Sequence, residues 1–213
     1  NDMHLYLGQI AEDENRLDDA IGHYQAIGEG VNALQAQVQA ARLLFEQGKN
    51  EDASNLLQYL RDHYPERMPS LYAAEAEMMA SHDDADGAMV LLNQALTQFP
   101  DDYDLLYSRS MVAEQQDNLE QVEVDLRRLL ELNPDDPVAQ NALGYTLADH
   151  GVKLEEARQL IESALAVRPD DAAIMDSMGW VLYRQGLLDK ALPFLQTAWG
   201  LFPDHEVGAH LGE

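Results

Sequence analysis

The sequence predicts an all-α fold built from a repeated pair of antiparallel helices. Three observations support this prediction. The 213 residues are rich in the helix formers Ala, Leu, Gln and Glu, and 46% are hydrophobic, which is enough to form a core. No long stretch alternates apolar and polar residues as half-buried strands do. Prolines recur at a nearly constant interval, with small and aliphatic residues in register with them. We therefore expect one domain, 1–213, made of helical repeats.

The second helix of each repeat is defined by five of the eight prolines, which are separated by 35, 34, 35 and 34 residues. A proline ends a helix because the preceding residue avoids the α region and the ring has no N–H. These prolines are Pro65, Pro100, Pro134, Pro169 and Pro203. Twelve residues before them come Ala53, Ala88, Val122, Ala157 and Ala191. Eight residues before them come Leu57, Leu92, Leu126, Ile161 and Leu195.

The first helix of each repeat carries a small residue that allows a close approach to the second helix. In order, these residues are Gly8, Ala41, Ala76, Ser110, Gly144, Gly179 and Gly212. Aspartate pairs follow Pro100, Pro134 and Pro169, where the next first helix is expected to begin. Their carboxylates are suited to accept hydrogen bonds from the free N–H groups of a helix start.

Together these positions closely resemble the pattern of tetratricopeptide-repeat (TPR) proteins. The resemblance implies a helix-turn-helix solenoid, wound as a right-handed superhelix, with first helices on its concave face and second helices on its convex face. Six repeats fit, followed by the opening helix of a seventh, at about 1–33, 34–68, 69–102, 103–136, 137–171, 172–204 and 205–213. The chain reads as a fragment of a longer protein, because it opens within a predicted helix.

Composition excludes several classes of function. The net charge is −26, from 39 acidic and 13 basic residues, which disfavours nucleic-acid and anionic-membrane partners. There is no cysteine and no apolar run of membrane-spanning length. No catalytic or phosphate-binding motif is present, and His205 and His210 are spaced by five rather than the four of a zinc-protease helix. We expect a protein that is not an enzyme, with no cofactor, no metal site and solvent-facing histidines.

A partner-binding surface is predicted from the groove-facing positions of the first helices. The TPR modules that clasp chaperone tails use Lys and Asn there, and this chain lacks that set. It has aromatic, Asn and Arg side chains instead, which are typical of protein-binding hot spots. The candidates are Tyr107, Met111, Asn141, Tyr145, Asp176, Trp180, Tyr183 and Arg184. The alternative is that several of them pack against the first helix of the next repeat.

One departure from the pattern predicts a structural pair. The core Leu that precedes the small residue is replaced by Glu75 in repeat three and by Arg109 in repeat four. Because these positions are equivalent in neighbouring repeats, the side chains are expected to form a partly buried ion pair. The alternative is that both extend to solvent.

Three stretches, 141–149, 169–184 and 203–213, resemble a narrower group, the outer-membrane TPR lipoproteins of Gram-negative bacteria. That resemblance implies an adaptor on the periplasmic side of the outer membrane. It would recruit a carboxyl-terminal processing serine protease and its cell-wall hydrolase substrates. Two other functions stay open: the substrate-recognition arm of a larger enzyme such as a glycosyltransferase, or an assembly scaffold for secretion, pilus or polysaccharide export. A cytoplasmic location is the alternative.

Overall fold

A computed structural model describes residues 2–212, apart from the side chain of residue 206. Within that range it contains thirteen α-helices and no strand, which confirms the predicted all-α class. A single 3-10 turn, Pro65–Arg67, precedes the fifth helix. The helices are α1 (Asp2–Asp13), α2 (Leu17–Gln25), α3 (Ala33–Glu46), α4 (Asn50–His63), α5 (Met68–Ser81), α6 (Ala85–Gln98), α7 (Tyr103–Gln115), α8 (Leu119–Leu132), α9 (Pro137–Asp149), α10 (Leu154–Val167), α11 (Ala172–Arg184), α12 (Leu188–Leu201) and α13 (His205–Gly212).

The helices form two compact units, Asn1–Ser108 and Arg109–Glu213, and the boundary falls within α7. In the first unit α1 to α6 pack in chain order, and α3 also contacts α5. In the second unit α8 to α13 pack in chain order, and α11 also contacts α9 and α13. Odd-numbered helices are the first helices of the predicted repeats, and even-numbered helices are the second. The seventh first helix, predicted at 205–213, is α13, and its predicted last residue lies outside the described range.

The core consists of the residues that recur in register with the prolines. The Ala or Val twelve residues before each proline is at most 2% exposed, and the aliphatic residue four positions later is at most 4% exposed. The small residues of the first helices are buried too, for example Ala41, Ser110 and Gly144. A Cβ added to Gly144 would lie 2.6 Å from Cγ1 of Ile161 and 2.9 Å from the carbonyl oxygen of Ala157. The predicted close approach of the two helices is therefore present.

Aspartates begin several first helices, as expected from the pairs that follow the prolines. Oδ1 of Asp136 accepts from the backbone N–H of Val138 at 2.9 Å, and Oδ1 of Asp171 accepts from Ala173 at 3.0 Å. In each case the second aspartate of the pair is the capping residue. Pro137 then occupies the first helical position of α9, where a backbone N–H would make no hydrogen bond within the helix.

Each turn between a first and a second helix contains a residue with left-handed backbone geometry. Five turns contain one left-handed residue each, which is Asn or Asp in three turns and Gly in two. The turn after α9 contains two left-handed residues, Gly151 and Lys153. Gly, Asn and Asp tolerate this conformation best. The residues are Asn15, Gly48, Asp83, Asp117, Gly151, Lys153 and Gly186, with φ between 47° and 77°. The turn at 151–153 therefore differs from the others in having a second left-handed residue.

Candidate functional site

The predicted partner-binding residues lie on first helices, and six of the eight lie on two adjacent first helices of the second unit. Asn141 and Tyr145 are on α9, and Asp176, Trp180, Tyr183 and Arg184 are on α11. These two helices are in contact within the second unit. Tyr107 belongs to the first unit, where its ring stacks on Tyr103 with 6.1 Å between centroids. Met111 is a half-buried residue of the second unit, so its grouping with Tyr107 stays a prediction.

Trp180 is the centre of an aromatic stack. Its ring lies 4.2 Å from the ring of His210 and 5.2 Å from the ring of Tyr183, with interplanar angles of 19° and 20°. The guanidinium carbon of Arg184 is 5.5 Å from the indole centroid, within the range of a cation–π contact. The ring of Tyr145 is 6.1 Å from that of His210. Trp180, Tyr183, Arg184 and Tyr145 are all half-buried, so each retains surface that a partner can contact.

Asp149, at the end of α9, fixes the orientation of this stack. Its Oδ1 accepts a hydrogen bond from the indole Nε1 of Trp180 at 3.2 Å. Its backbone oxygen accepts from Nη1 of Arg184, and the same nitrogen lies 3.7 Å from Oδ1. Gly151 leaves the space that Arg184 needs, since a Cβ there would lie 2.7 Å from Nη2. Nothing in the local sequence marks Asp149, at the end of a helix, as a hydrogen-bond partner of a residue 31 positions further along.

Asp176 forms a buried pair with His210, which is also one of the stacked rings. Nδ1 of His210 is 2.7 Å from Oδ2 of Asp176, and their side chains are 8% and 7% exposed. The expectation that the histidines face solvent is therefore wrong for His210, because this pair and the contact with Trp180 bury it. His205 is exposed as expected.

A signal for this pair was available in the register of the repeats. The groove-facing position occupied by Asn141 and Asp176 continues, 34 residues after Asp176, at His210. Extending the series of equivalent positions into the partial seventh repeat would have placed an acid beside an imidazole. The contacts of Asp176 and Trp180 with His210 support the alternative that some candidates pack against the next repeat.

Two buried acceptors near the site have no hydrogen-bond partner among the described residues. They are Oδ1 of Asn141 and Oδ1 of Asp176. A third, Oε2 of Glu114, lies on α7 near the end of α9, where Oε1 is 4.0 Å from Nδ1 of His150. Burial raises the pKa of Glu114 above its usual range, and the opposing effect of His150 is smaller.

Glu75 and Arg109, the predicted structural pair, each have a partner within their own unit. Glu75 is 3% exposed and forms a buried ion pair with Arg61 of α4. Arg109 donates from Nε and Nη2 to the two carboxylate oxygens of the buried Asp125, at 2.9 and 2.5 Å. Both residues thus stay inside rather than extend to solvent. The pairing of Glu75 with Arg109 stays a prediction, because the two residues belong to different units.

Two kinds of feature are absent from the described residues: a cluster of metal-ligating side chains and a membrane-spanning helix. Between residues 2 and 212, no three His, Asp or Glu side chains are placed to bind one metal ion. None of the described helices is both long and apolar enough to cross a bilayer. What the structure does provide is a set of aromatic and Arg side chains held in fixed positions on adjacent helices, which suits protein recognition.

Repeated helical hairpins with such a surface define a helical-repeat binding scaffold. Models of the tetratricopeptide repeat match residues 35–67, 79–144 and 153–206, which together make up most of the chain. The chain therefore belongs to the TPR family. It is 42% identical over 210 residues to a TPR repeat-containing protein of Pseudomonas aeruginosa. That match covers 99% of this chain but only 36% of the relative's length.

Solved structures share the fold at low sequence identity. A tetratricopeptide repeat protein from Parabacteroides merdae matches with a TM-score of 0.71 at 15% identity, over 99% of this chain and 84% of that one. YrrB, a TPR protein described as having an unusual peptide-binding site, matches with a TM-score of 0.60 at 22% identity. That match covers 83% of this chain and 90% of YrrB. At these identities the likeness concerns the fold alone.

Proposed function

We propose that this chain is a non-catalytic scaffold that binds a partner protein or peptide through the Trp180 surface, defined as Tyr145, Trp180, Tyr183 and Arg184. The observation that carries the proposal is the fixed position of the indole. Its Nε1 donates a hydrogen bond to Asp149, and its ring stacks on the rings of Tyr183 and His210. Side chains ordered before binding lose little conformational entropy when a partner arrives, so more of the contact energy becomes affinity.

The proposed partner is a periplasmic carboxyl-terminal processing serine protease, together with cell-wall hydrolases that are its substrates. This identity is supported by the resemblance of stretches 141–149, 169–184 and 203–213 to outer-membrane TPR lipoproteins. The parent protein would then be a lipoprotein on the periplasmic side of the outer membrane. Its mechanism would be recruitment, because holding protease and substrate on one scaffold raises their effective concentration near each other.

Affinity capture from a Gram-negative periplasmic extract tests the proposal. The bait is the chain itself, beside a Tyr145→Ala, Trp180→Ala double variant. The matched control removes two exposed aromatic rings of the first unit, Tyr6→Ala with Tyr59→Ala. We expect a carboxyl-terminal processing protease to bind the wild type and the control. Loss of a hot-spot Trp costs about 2 kcal/mol or more, so we expect the site variant to bind roughly thirty-fold more weakly.

The other outcomes are equally definite. Capture of secretion, pilus or polysaccharide-export components, with the same dependence on Trp180, would replace the adaptor with the assembly scaffold. Capture of a glycosyltransferase or another enzyme would favour the substrate-recognition arm. Equal capture by the site variant and the control would show that the Trp180 surface is not where the partner binds. Circular dichroism of each variant confirms that a loss of capture is not a loss of fold.

A further inference from the structure

The final residues of the second helices differ between the two units. In the first unit α4 ends at His63 and α6 at Gln98, both polar. In the second unit α8, α10 and α12 end at Leu132, Val167 and Leu201. These three side chains are 47%, 55% and 54% exposed. Single exposed aliphatic residues are common on protein surfaces, but three at one position of successive repeats form a row.

We call these three residues the edge row (Leu132, Val167 and Leu201), and for Leu132 and Val167 a missing next helix does not explain the exposure. The helices that follow α8 and α10 in the chain are present and packed against them. Leu132 and Val167 are therefore exposed although the next first helix packs against the helix that carries each of them. All three second helices run in the same direction, because each follows an antiparallel first helix. Their last residues consequently lie along one edge of the second unit.

A carboxylate accompanies each member of the edge row. The residue after each terminal proline is an exposed aspartate: Asp135, Asp170 and Asp204. One cation, Arg168, directly follows Val167, and its Nη1 is already 3.8 Å from Oδ2 of Asp171. The edge is thus aliphatic and acidic together, within a chain whose net charge is −26.

We propose that the edge row is a second interaction surface, which binds a basic amphipathic helix of a partner protein. Such a helix presents a stripe of aliphatic side chains for the row and flanking Lys or Arg for the aspartates. Charge complementarity selects this partner. A second copy of the chain would bring aspartates against aspartates, and an anionic membrane would repel the same groups. The surface is separate from the Trp180 surface, which lies on first helices.

Fluorescence anisotropy with a synthetic helical peptide of Leu and Lys, in amphipathic order, tests this proposal directly. The row variant is Leu132→Gln, Val167→Gln, Leu201→Gln. Its control is Val90→Gln, Val124→Gln, Leu192→Gln, which removes aliphatic side chains of similar exposure, 68%, 56% and 48%, from other positions. We expect the row variant to bind the peptide about tenfold more weakly, and the control to bind within about twofold of the wild type.

A second pair of variants separates local charge from total charge. Asp135→Asn with Asp170→Asn removes two carboxylates beside the edge row, and Glu66→Gln with Asp101→Asn removes two at the same repeat position in the first unit. Only the former is expected to weaken binding. The peptide with its Leu and Lys in scrambled order should bind less tightly than the amphipathic one.

Several results would overturn the proposal. Equal effects of row and control variants, or equal binding of a Leu and Glu peptide, would show no specific site. Self-association in light scattering, or sedimentation with phosphatidylcholine vesicles, that disappears only in the row variant would assign the surface to a second copy or to a lipid surface instead. Since the substituted side chains are exposed, the variants should fold, and thermal unfolding checks this. If the triple variant unfolded, Val167→Gln alone would be compared with Val124→Gln.

Discussion

Nδ1 of His210 lies 2.7 Å from Oδ2 of Asp176, and this contact joins α13 to α11 through two side chains that are almost completely buried. The described residues of α13, His205–Gly212, are too few to form a stable helix alone in water. It is held by this pair, by the stacking of His210 on Trp180 and by the buried Val207. One residue therefore contributes both the polar and the aromatic contact that dock α13.

The first prediction follows from that double role. His210→Ala should leave Asp176 buried without its partner, which costs about 1–3 kcal/mol, and should release α13 without unfolding the rest. Hydrogen exchange followed by mass spectrometry should show faster exchange in 205–212 alone. His205→Ala, an exposed residue of the same helix, is the control and should change nothing. Unchanged exchange in the His210 variant would mean that apolar packing holds α13.

The second prediction concerns close helix packing. Gly144→Ala should destabilise the protein by about 1–3 kcal/mol, because the new Cβ meets Ile161 and a backbone oxygen that cannot move easily. Gly22→Ala, in α2, adds the same methyl group where nothing lies within 4 Å. It should stabilise the protein by about 0.5–1 kcal/mol, since Ala is the better helix former. Urea unfolding measures both, and shifts of the same sign would contradict the packing argument.

The third prediction concerns the buried pair of Arg61 and Glu75. Arg61 also lies over the ring of Tyr72, 4.2 Å from its centroid. Glu75→Ala should cost about 3–5 kcal/mol because it leaves the guanidinium buried without a counter-charge. Replacing both residues, with Arg61→Met and Glu75→Leu, should cost much less. Glu162→Ala removes one partner of the exposed Arg158 pair and should have a far smaller effect. Thermal unfolding of the three variants tests this prediction, and a double variant as unstable as Glu75→Ala would contradict it.

The fourth prediction is a pH dependence. Burial raises the pKa of Glu114, so folding favours its protonated form. The contribution of Glu114 to the free energy of unfolding is therefore fully present below its ordinary pKa. It is lost as the pH rises through the raised pKa of the folded state. Glu114→Gln, which stays neutral, should match the wild type near pH 4 and be more stable than it near pH 7. Glu120→Gln, on an exposed side chain, is a control. If the melting temperatures of Glu114→Gln and the wild type differed by the same amount at pH 4 and pH 7, ionisation of Glu114 would be excluded as the cause.

Much of the fold could be predicted because it depends on local rules. Pro137 at a helix start and Asp136 as a cap follow from backbone chemistry within a few residues. The burial of Ala157 follows from its distance to Pro169. The repeat pattern extends such local information along the chain.

The candidate site was less predictable because its contacts join residues about 30 positions apart. Composition could name Trp180 as a candidate, but not Asp149 as the group that orients it. Nor could it show that Asp176 turns toward His210 rather than toward a partner. Those contacts depend on which side chains meet when successive first helices pack. The repeat position of a residue narrows the set of side chains it can contact, but it does not specify which contact forms.

The left-handed turn residues have a consequence for how such a chain lengthens or shortens in evolution. Asp83, Asp117 and Gly151 are separated by 34 residues each. A gene segment duplicated or deleted between two such positions begins and ends at the same backbone conformation. The inserted or lost block then carries one complete cap, one buried small residue and one terminal proline, and the blocks on either side keep their register. Exchange at these turns therefore changes the number of binding positions while leaving the folding rules of every remaining repeat intact.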